Sequence, residues 1–187
     1  MHSALSYIFP HSAVRYRKQL LSHYPSHYKL LIMKTDIIPC GFPVAEIELI
    51  YKTKVKASER VCIKSPGEAY QLFLQLWDTN KIDFVEEFKA LFLNRAGMVL
   101  GALHVSSGCV DVTIADPRLV FVAALKLNAV GVIICHNHPA KNLKPSMADK
   151  LATQKFKYAG EILEIRLLDH LIISNEGYYS FGDEGTL

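Results

Sequence analysis

From about residue 41 onward the apolar and polar positions follow two alternating periods, and the places where one gives way to the other mark out short elements. Residues 45–54 alternate enough for an edge strand. Ser65-Pro66-Gly67-Glu68 has the form of a helix start, with Ser65 as N-cap, Pro66 at the first helical position and Glu68 three residues after the cap; the helix is expected to reach about Trp77. Residues 84–94, rich in Phe, Val and Leu, read as a strand. Asn94-Arg95-Ala96-Gly97 then turns the chain into a second strand over 98–105, which makes a hairpin. Ser106-Ser107-Gly108 reads as a loop, residues 110–114 as a third strand, and Asp116-Pro117 as the cap and first residue of a helix to about Asn128. Gly131 begins a buried apolar strand, residues 132–135, that delivers His136 at its end. Ser146 opens a helix expected to stop near Ala159 at Gly160, and residues 165–174 form a closing strand. Strands that alternate with helices in this way predict an α/β fold whose mixed sheet is covered on both faces.

At 187 residues, 50% hydrophobic and 21% charged, the chain is long enough for one domain with a substantial core. No apolar run approaches the roughly 20 residues that span a bilayer, so no membrane partner is expected. Cys40, Cys62, Cys109 and Cys135 form no CxxC pair or dense framework, which suits reduced thiols and a cytoplasmic location. The net charge of +3 raises nucleic acid as a partner, but its distribution argues against it. Residues 1–32 hold Arg15, Arg17, Lys18 and Lys29, no acidic group, and four of the eight histidines; the remaining 155 residues carry 17 basic against 18 acidic groups. Capture of a polyanion needs clustered Lys and Arg, and residues 33–187 have no excess from which to build a large patch. Residues 1–32 lack a hydrophobic period, and Pro10 and Pro25 interrupt any helix. Residues 1–40 therefore read as a poorly ordered N-terminal extension to a domain over 41–187.

The segment His136-Asn137-His138-Pro139 to Asp149 carries the chemistry. If the pleat persists to residue 138, His136 and His138 point to one face while Cys135 and Asn137 point to the other. Asp149 falls in the first turn of the helix capped by Ser146. Two imidazoles and a carboxylate supply three ligands and leave a fourth position open, the arrangement of a catalytic zinc site. Zinc there would bring the pKa of its water to roughly 7, and a protein carboxylate must still take and return the proton. Taken alone, Ser146-x-x-Asp149 also describes an ordinary helix cap.

His136-x-His138-Pro139, six further residues and Ser146-x-x-Asp149 together resemble the JAMM motif of the JAB/MPN metalloprotease superfamily. Phe88-Lys89-Ala90-Leu91-Phe92-Leu93-Asn94-Arg95, Asp116-Pro117-Arg118 and Leu168-Asp169-His170 narrow the likeness to the RadC-like proteins, historically labelled as DNA repair proteins, over residues 44–187. The resemblance implies a cytidine-deaminase-like three-layer α/β/α fold and one Zn²⁺ held by His136, His138 and Asp149. It also implies hydrolysis of a peptide or isopeptide bond in a peptide or protein substrate. The motif's glutamate aligns with Glu86 through Glu86-x-Phe88; a slip of one residue in strand register gives the role to Glu87. In the implied mechanism Glu86 is the general base for a zinc-bound water and Ser146 helps stabilise the oxyanion. Asp169 and His170 match a D-H pair, but neighbours on a strand cannot both face the metal, so they are expected to support the site or the core from behind. Cys135 reads as a small buried hydrophobe, and Arg118 as a surface or capping contact. The longer RadC-type proteins carry a helix-hairpin-helix region; residues 1–80 contain only Gly41 and Gly67, so that DNA clamp is not expected here. The alternative function is a nucleic-acid-associated or DNA-repair-associated scaffold with a structural or vestigial metal site.

Overall fold

A run of seven residues that is buried at every position belongs in the middle of a sheet, and two strands have this character: β1 (Glu87–Leu93) and, later in the chain, β3 (Gly131–Asn137). In the computed structural model, which describes residue 53 and residues 55–108 and 116–187, they lie side by side at the centre of a five-stranded sheet. The strand order is β2-β1-β3-β4-β5, with β2 spanning Val99–Ser107, β4 Arg166–Ile173 and β5 Tyr178–Ser180. β1 runs antiparallel to both β2 and β3, β3 runs parallel to β4, and β5 closes antiparallel on β4. The parallel pair needs a crossover, and a 17-residue helix supplies it.

Among the described residues three α-helices complete the layers: α1 (Pro66–Leu76), α2 (Pro117–Lys126) and α3 (Met147–Leu163). The pleat divides each central strand between two cores. Phe88, Ala90 and Phe92 of β1 and Val132 and Ile134 of β3 pack with Val120, Phe121 and Ala124 of α2 and Phe156 of α3. Leu91, Leu93, Ile133 and Cys135 point the other way, against Ala69, Tyr70 and Phe73 of α1. The result is the expected three-layer α/β/α arrangement with a mixed sheet. Among the described residues no helix is long and apolar enough to cross a membrane.

The two expected caps form. Ser65 Oγ accepts from Glu68 N at 3.3 Å, and Asp116 Oδ1 accepts from Arg118 N at 2.9 Å. Arg118 returns to the same carboxylate through its guanidinium at 2.7 Å, on the surface. The hairpin turn at 94–97 also forms, with Gly97 at a φ of 74°. Other boundaries moved. β1 starts at Glu87 because turns occupy residues 81–84. Ser106 and Ser107 are the end of β2 and not a loop, since they pair with Phe88 and Glu87. β5, only three residues long, has no counterpart in the sequence reading. The expected strand over 45–54, save residue 53, the strand over 110–114 and the boundary at residues 40–41 fall outside the described residues.

α3 also continues past Gly160 to Leu163 and ends at Glu164, whose φ of 56° is left-handed. Gly160 serves packing here. A Cβ at this position would stand 2.3 Å from Ile165 O and 3.4 Å from Phe121 Cζ. Its absence lets the end of α3 lie against the start of β4, where Ile165 N donates to Gly160 O at 2.9 Å.

One irregularity in β4 decides what the site sees. Val132 pairs with Leu167, but Ile133 pairs with Asp169, so Leu168 is an extra residue, a bulge. Beyond it the faces of β4 exchange: His170 pairs with Ile134, on the face of α2 and α3, while Leu171 and Ile173 join the core on the side of α1.

Because helix propensity alone favours Ala over Gly by about 1 kcal/mol, Gly160→Ala separates the two roles of this residue. We expect overpacking against Ile165 to win and to lower unfolding free energy by about 1–3 kcal/mol, measured by urea denaturation; a stabilised variant would mean that the close approach is unimportant.

Candidate metal centre

The pairing of β3 with β4 extends one residue past the strand, His138 N donating to Ile173 O at 3.0 Å. Alternation therefore carries through residue 138, and His136 and His138 emerge on the same side. Pro139 has no N–H to continue the ladder, and the chain turns back through Lys141, at a φ of 61°. It re-enters regular structure at Ser146, the N-cap of α3. Ser146 N and Oγ both donate to Asp149 Oδ2 at 2.7 Å, while Asp149 N donates to Ser146 Oγ at 3.2 Å. This capping box fixes the Asp149 carboxylate at the helix N-terminus, where the peptide dipoles favour negative charge.

Strand end and helix start meet. His136 Nε2 lies 3.0 Å from His138 Nε2 and 3.2 Å from Asp149 Oδ1, and His138 Nε2 lies 3.8 Å from Asp149 Oδ2. One donor atom from each of the three residues falls within 4.8 Å of the others. Three electron-pair donors so close together repel unless a cation or shared protons lie between them, so the set fits a metal ion chemically. His138 is already oriented for ligation. Its Nδ1 lies 2.5 Å from Asn142 O, and a carbonyl only accepts, so Nδ1 carries the proton and Nε2 keeps its lone pair. Burial by itself would raise the Asp149 carboxyl, but its polar neighbours, the His136 ring first and then Ser146 Oγ and N, outweigh it and hold this group far below the usual carboxylate range. His136 is buried and stacks on Phe88, with 6.1 Å between ring centres.

The two neighbouring glutamates are sorted by the pleat. Glu87 starts β1 on the side of Lys89, away from Phe88 and His136. It closes a ring of hydrogen bonds: Lys89 Nζ donates to Glu87 Oε2 at 2.7 Å and contacts His104 Nδ1 at 3.2 Å, His104 Nε2 meets Ser107 Oγ at 3.0 Å, and Ser107 Oγ donates to Glu87 Oε1 at 3.3 Å. The Lys89 ammonium also lies 4.3 Å from the Trp77 ring centre. With the ammonium donating to Nδ1, His104 must donate from Nε2, so it is no base toward Ser107 and the ring is a structural clasp between β1 and β2. Glu86 precedes the strand by one residue and is half-buried. Its carbonyl accepts from Gly108 N at 2.9 Å, which continues the ladder with β2, so the alternation assigns residue 86 to the face of Phe88 and His136. Glu86 is not among the three converging donors.

Asn137, passed over in the sequence reading except for its direction, anchors this region. Its Nδ2 donates to Ile82 O at 2.6 Å and Val85 O at 2.9 Å, and its Oδ1 accepts from Glu87 N at 2.7 Å. One side chain thus ties the turn that carries Glu86 to the strand that carries the histidines. Its place between two histidines was the available signal. Of the D-H pair, His170 faces the site and lies 2.9 Å from His136 Nδ1. Asp169 faces the opposite side, where Ser180 Oγ, Gly182 N and His170 N donate to it. Cys135 is fully buried on the side of α1, and burial pushes its thiol up.

Comparison with known proteins places the chain in a family. The profile of a family described as "RadC-like JAB domain" matches residues 63–186. Similar chains include a "UPF0758 protein" of Flavobacterium johnsoniae, 53% identical over 100 residues that cover 54% of this chain and 44% of the relative. Another, of Thermotoga maritima, is 43% identical over 102 residues, covering 54% and 46%. A third, of Clostridium kluyveri, is 35% identical over 145 residues, covering 77% and 61%. The matched region spans about half the length of the first two relatives.

Glu87 gives this clasp a pH signature. Burial raises its carboxyl, and the bond and charge of Lys89, with smaller help from His104 and Ser107, more than reverse this, so its pKa lies below the usual 4.5. A depressed carboxyl stabilises the fold above its unfolded value and loses that contribution as pH falls toward the folded one. We expect denaturant stability to drop below about pH 4.5, the drop to be shallower in Glu87→Gln, and that variant to cost about 3 kcal/mol at neutral pH through the stranded Lys89 ammonium. A Glu87→Gln protein as stable as wild type would contradict the clasp.

Proposed function

The chain belongs to the RadC-like JAB domain family, and from that premise we propose that it is a zinc-dependent metallopeptidase or isopeptidase acting on a peptide or protein substrate. The observation that carries this reading is the convergence of His136, His138 and Asp149 where the end of β3 meets the start of α3. Two imidazole nitrogens and one carboxylate are the donor set of a catalytic rather than a structural zinc site, because three protein ligands leave a position for water or substrate. Zinc, when bound, supplies a Lewis acid that brings the pKa of a water molecule to about 7 and polarises a carbonyl oxygen.

The chain's own residues would divide the remaining work. His138 is held by Asn142 O with Nε2 bare, and Asp149 is kept ionised by the donors of its cap. Glu86, on the face of the histidines, takes the proton from the attacking water and returns it to the leaving nitrogen. Ser146 holds one hydroxyl proton on Asp149 Oδ2 at 2.7 Å, and can turn it onto the oxygen that gains charge as the carbonyl becomes tetrahedral. Glu87, committed to Lys89, is spared for structure.

Metal analysis and peptide-library cleavage on the same samples test the assignment. Wild type is expected to carry about one zinc per chain, His138→Ala to lose both zinc and cleavage, and Glu86→Gln to keep zinc and stability while cleavage falls by about 10²–10⁴-fold. Cleavage that survives His138→Ala, or wild-type protein that takes up no zinc, would sink the proposal.

A further inference from the structure

His138 has its tautomer set by a backbone carbonyl, but His136 has no such carbonyl at its Nδ1. That nitrogen faces another imidazole, His170 Nε2, at 2.9 Å, and either ring could in principle be the donor. The ambiguity is resolved further along the chain of contacts. His170 Nδ1 lies 2.7 Å from Thr153 Oγ1, and Thr153 Oγ1 lies 2.7 Å from Asp149 O. A carbonyl oxygen only accepts, so the single hydroxyl proton of Thr153 points at Asp149 O. Thr153 Oγ1 can then offer His170 nothing but a lone pair, and His170 Nδ1 must carry a proton. His170 is completely buried, with its ring stacked on Phe181 at 4.8 Å and tilted against Phe88 at 6.0 Å. An imidazolium enclosed by two phenyl rings is strongly disfavoured. The neutral ring has one proton, already placed on Nδ1, so Nε2 is an acceptor and His136 Nδ1 is the donor.

We propose that Thr153 and His170 are positioning residues that lock the proton of His136 onto Nδ1 and thereby hold its Nε2 lone pair toward His138 and Asp149. The relay is a loop. It begins at the backbone carbonyl of Asp149, passes through Thr153 one turn further along α3, crosses to His170 on β4, reaches His136 on β3, and ends 3.2 Å from the Asp149 carboxylate. Two side chains of the converging set are thus coupled through protein as well as through any ion between them. Were the order of donors reversed, His136 would present an N–H to the centre and could not ligate. The importance of the tautomer rests on the metal-centre reading; its direction rests on the hydrogen-bond chain and on the burial that keeps His170 neutral.

Long-range ¹H–¹⁵N correlation on ¹⁵N-histidine-labelled full-length protein reads the tautomers directly, with no variant and no metal. The expected pattern is His170 protonated at Nδ1 only and His136 protonated at Nδ1, with and without zinc. His136 protonated at Nε2 alone, or His170 protonated at Nε2, would overturn the inference. In parallel, zinc affinity by chelator competition is expected to weaken about 10–100-fold in Thr153→Val, which removes the hydroxyl at nearly constant shape, and to recover in Thr153→Ser. A folded Thr153→Val protein with wild-type affinity would also overturn it. If that variant does not fold, the wild-type spectrum decides. Protein that takes up no zinc yet shows the expected pattern would refute the proposed function and leave the relay standing.

Discussion

Mutual repulsion among three electron-pair donors is the constraint around which this fold is arranged. His136, His138 and Asp149 bring lone pairs within 4.8 Å of one another, and left to themselves such groups would separate into solvent. Each is held instead by something stronger than its own preference. His136 is carried by a strand buried on both faces, His138 by one further backbone bond to β4, and Asp149 by the reciprocal cap of α3. The elements that hold them are consecutive in a β-α-β crossover, so the centre lies where the C-terminal end of one parallel strand meets the N-terminus of the helix that follows. A parallel pair in a sheet otherwise antiparallel is what makes that juncture available.

The same arrangement explains how two adjacent carboxylates take different work. A strand sends neighbours to opposite faces, so Glu86 and Glu87 cannot compete for one role. Glu87 closes a buried clasp with Lys89, His104 and Ser107, and in doing so pins the hairpin whose first residues present Glu86. Asn137, between the two histidines, faces away from the centre and binds the turn preceding β1. Structural and chemical residues are therefore interleaved along one segment, odd positions bracing what even positions display.

This interleaving bears on what could be read from the chain before folding. The period of two, the Pro after His138 and the Ser-x-x-Asp cap are local signals, and local signals placed His136, His138, Ser146 and Asp149 where the structure has them. The three layers were legible for the same reason, since strand and helix periods alternate. What could not be read depends on contacts distant in sequence. Gly160 looked like a stop because nothing nearby announces that Phe121 of α2 will lie against it. Ser106 and Ser107 looked like a loop because their partners on β1 lie about 20 residues away. The split of Asp169 from His170 was expected in kind but not in direction, because an alternating strand has no marker for an unpaired residue.

That residue, Leu168, works like a shift in reading frame. The strand on either side of it is regular, and pairing continues on both sides; only the assignment of side chains to faces changes. Were the bulge ironed out with Leu168 kept, Leu168 would pair with Ile133 and Asp169 with Ile134, and a carboxylate would replace an imidazole behind His136; removing Leu168 itself would close the bulge and leave every later side chain on its present face. What stands behind the centre is therefore set by the register in which β4 is paired, which a sequence alignment does not record.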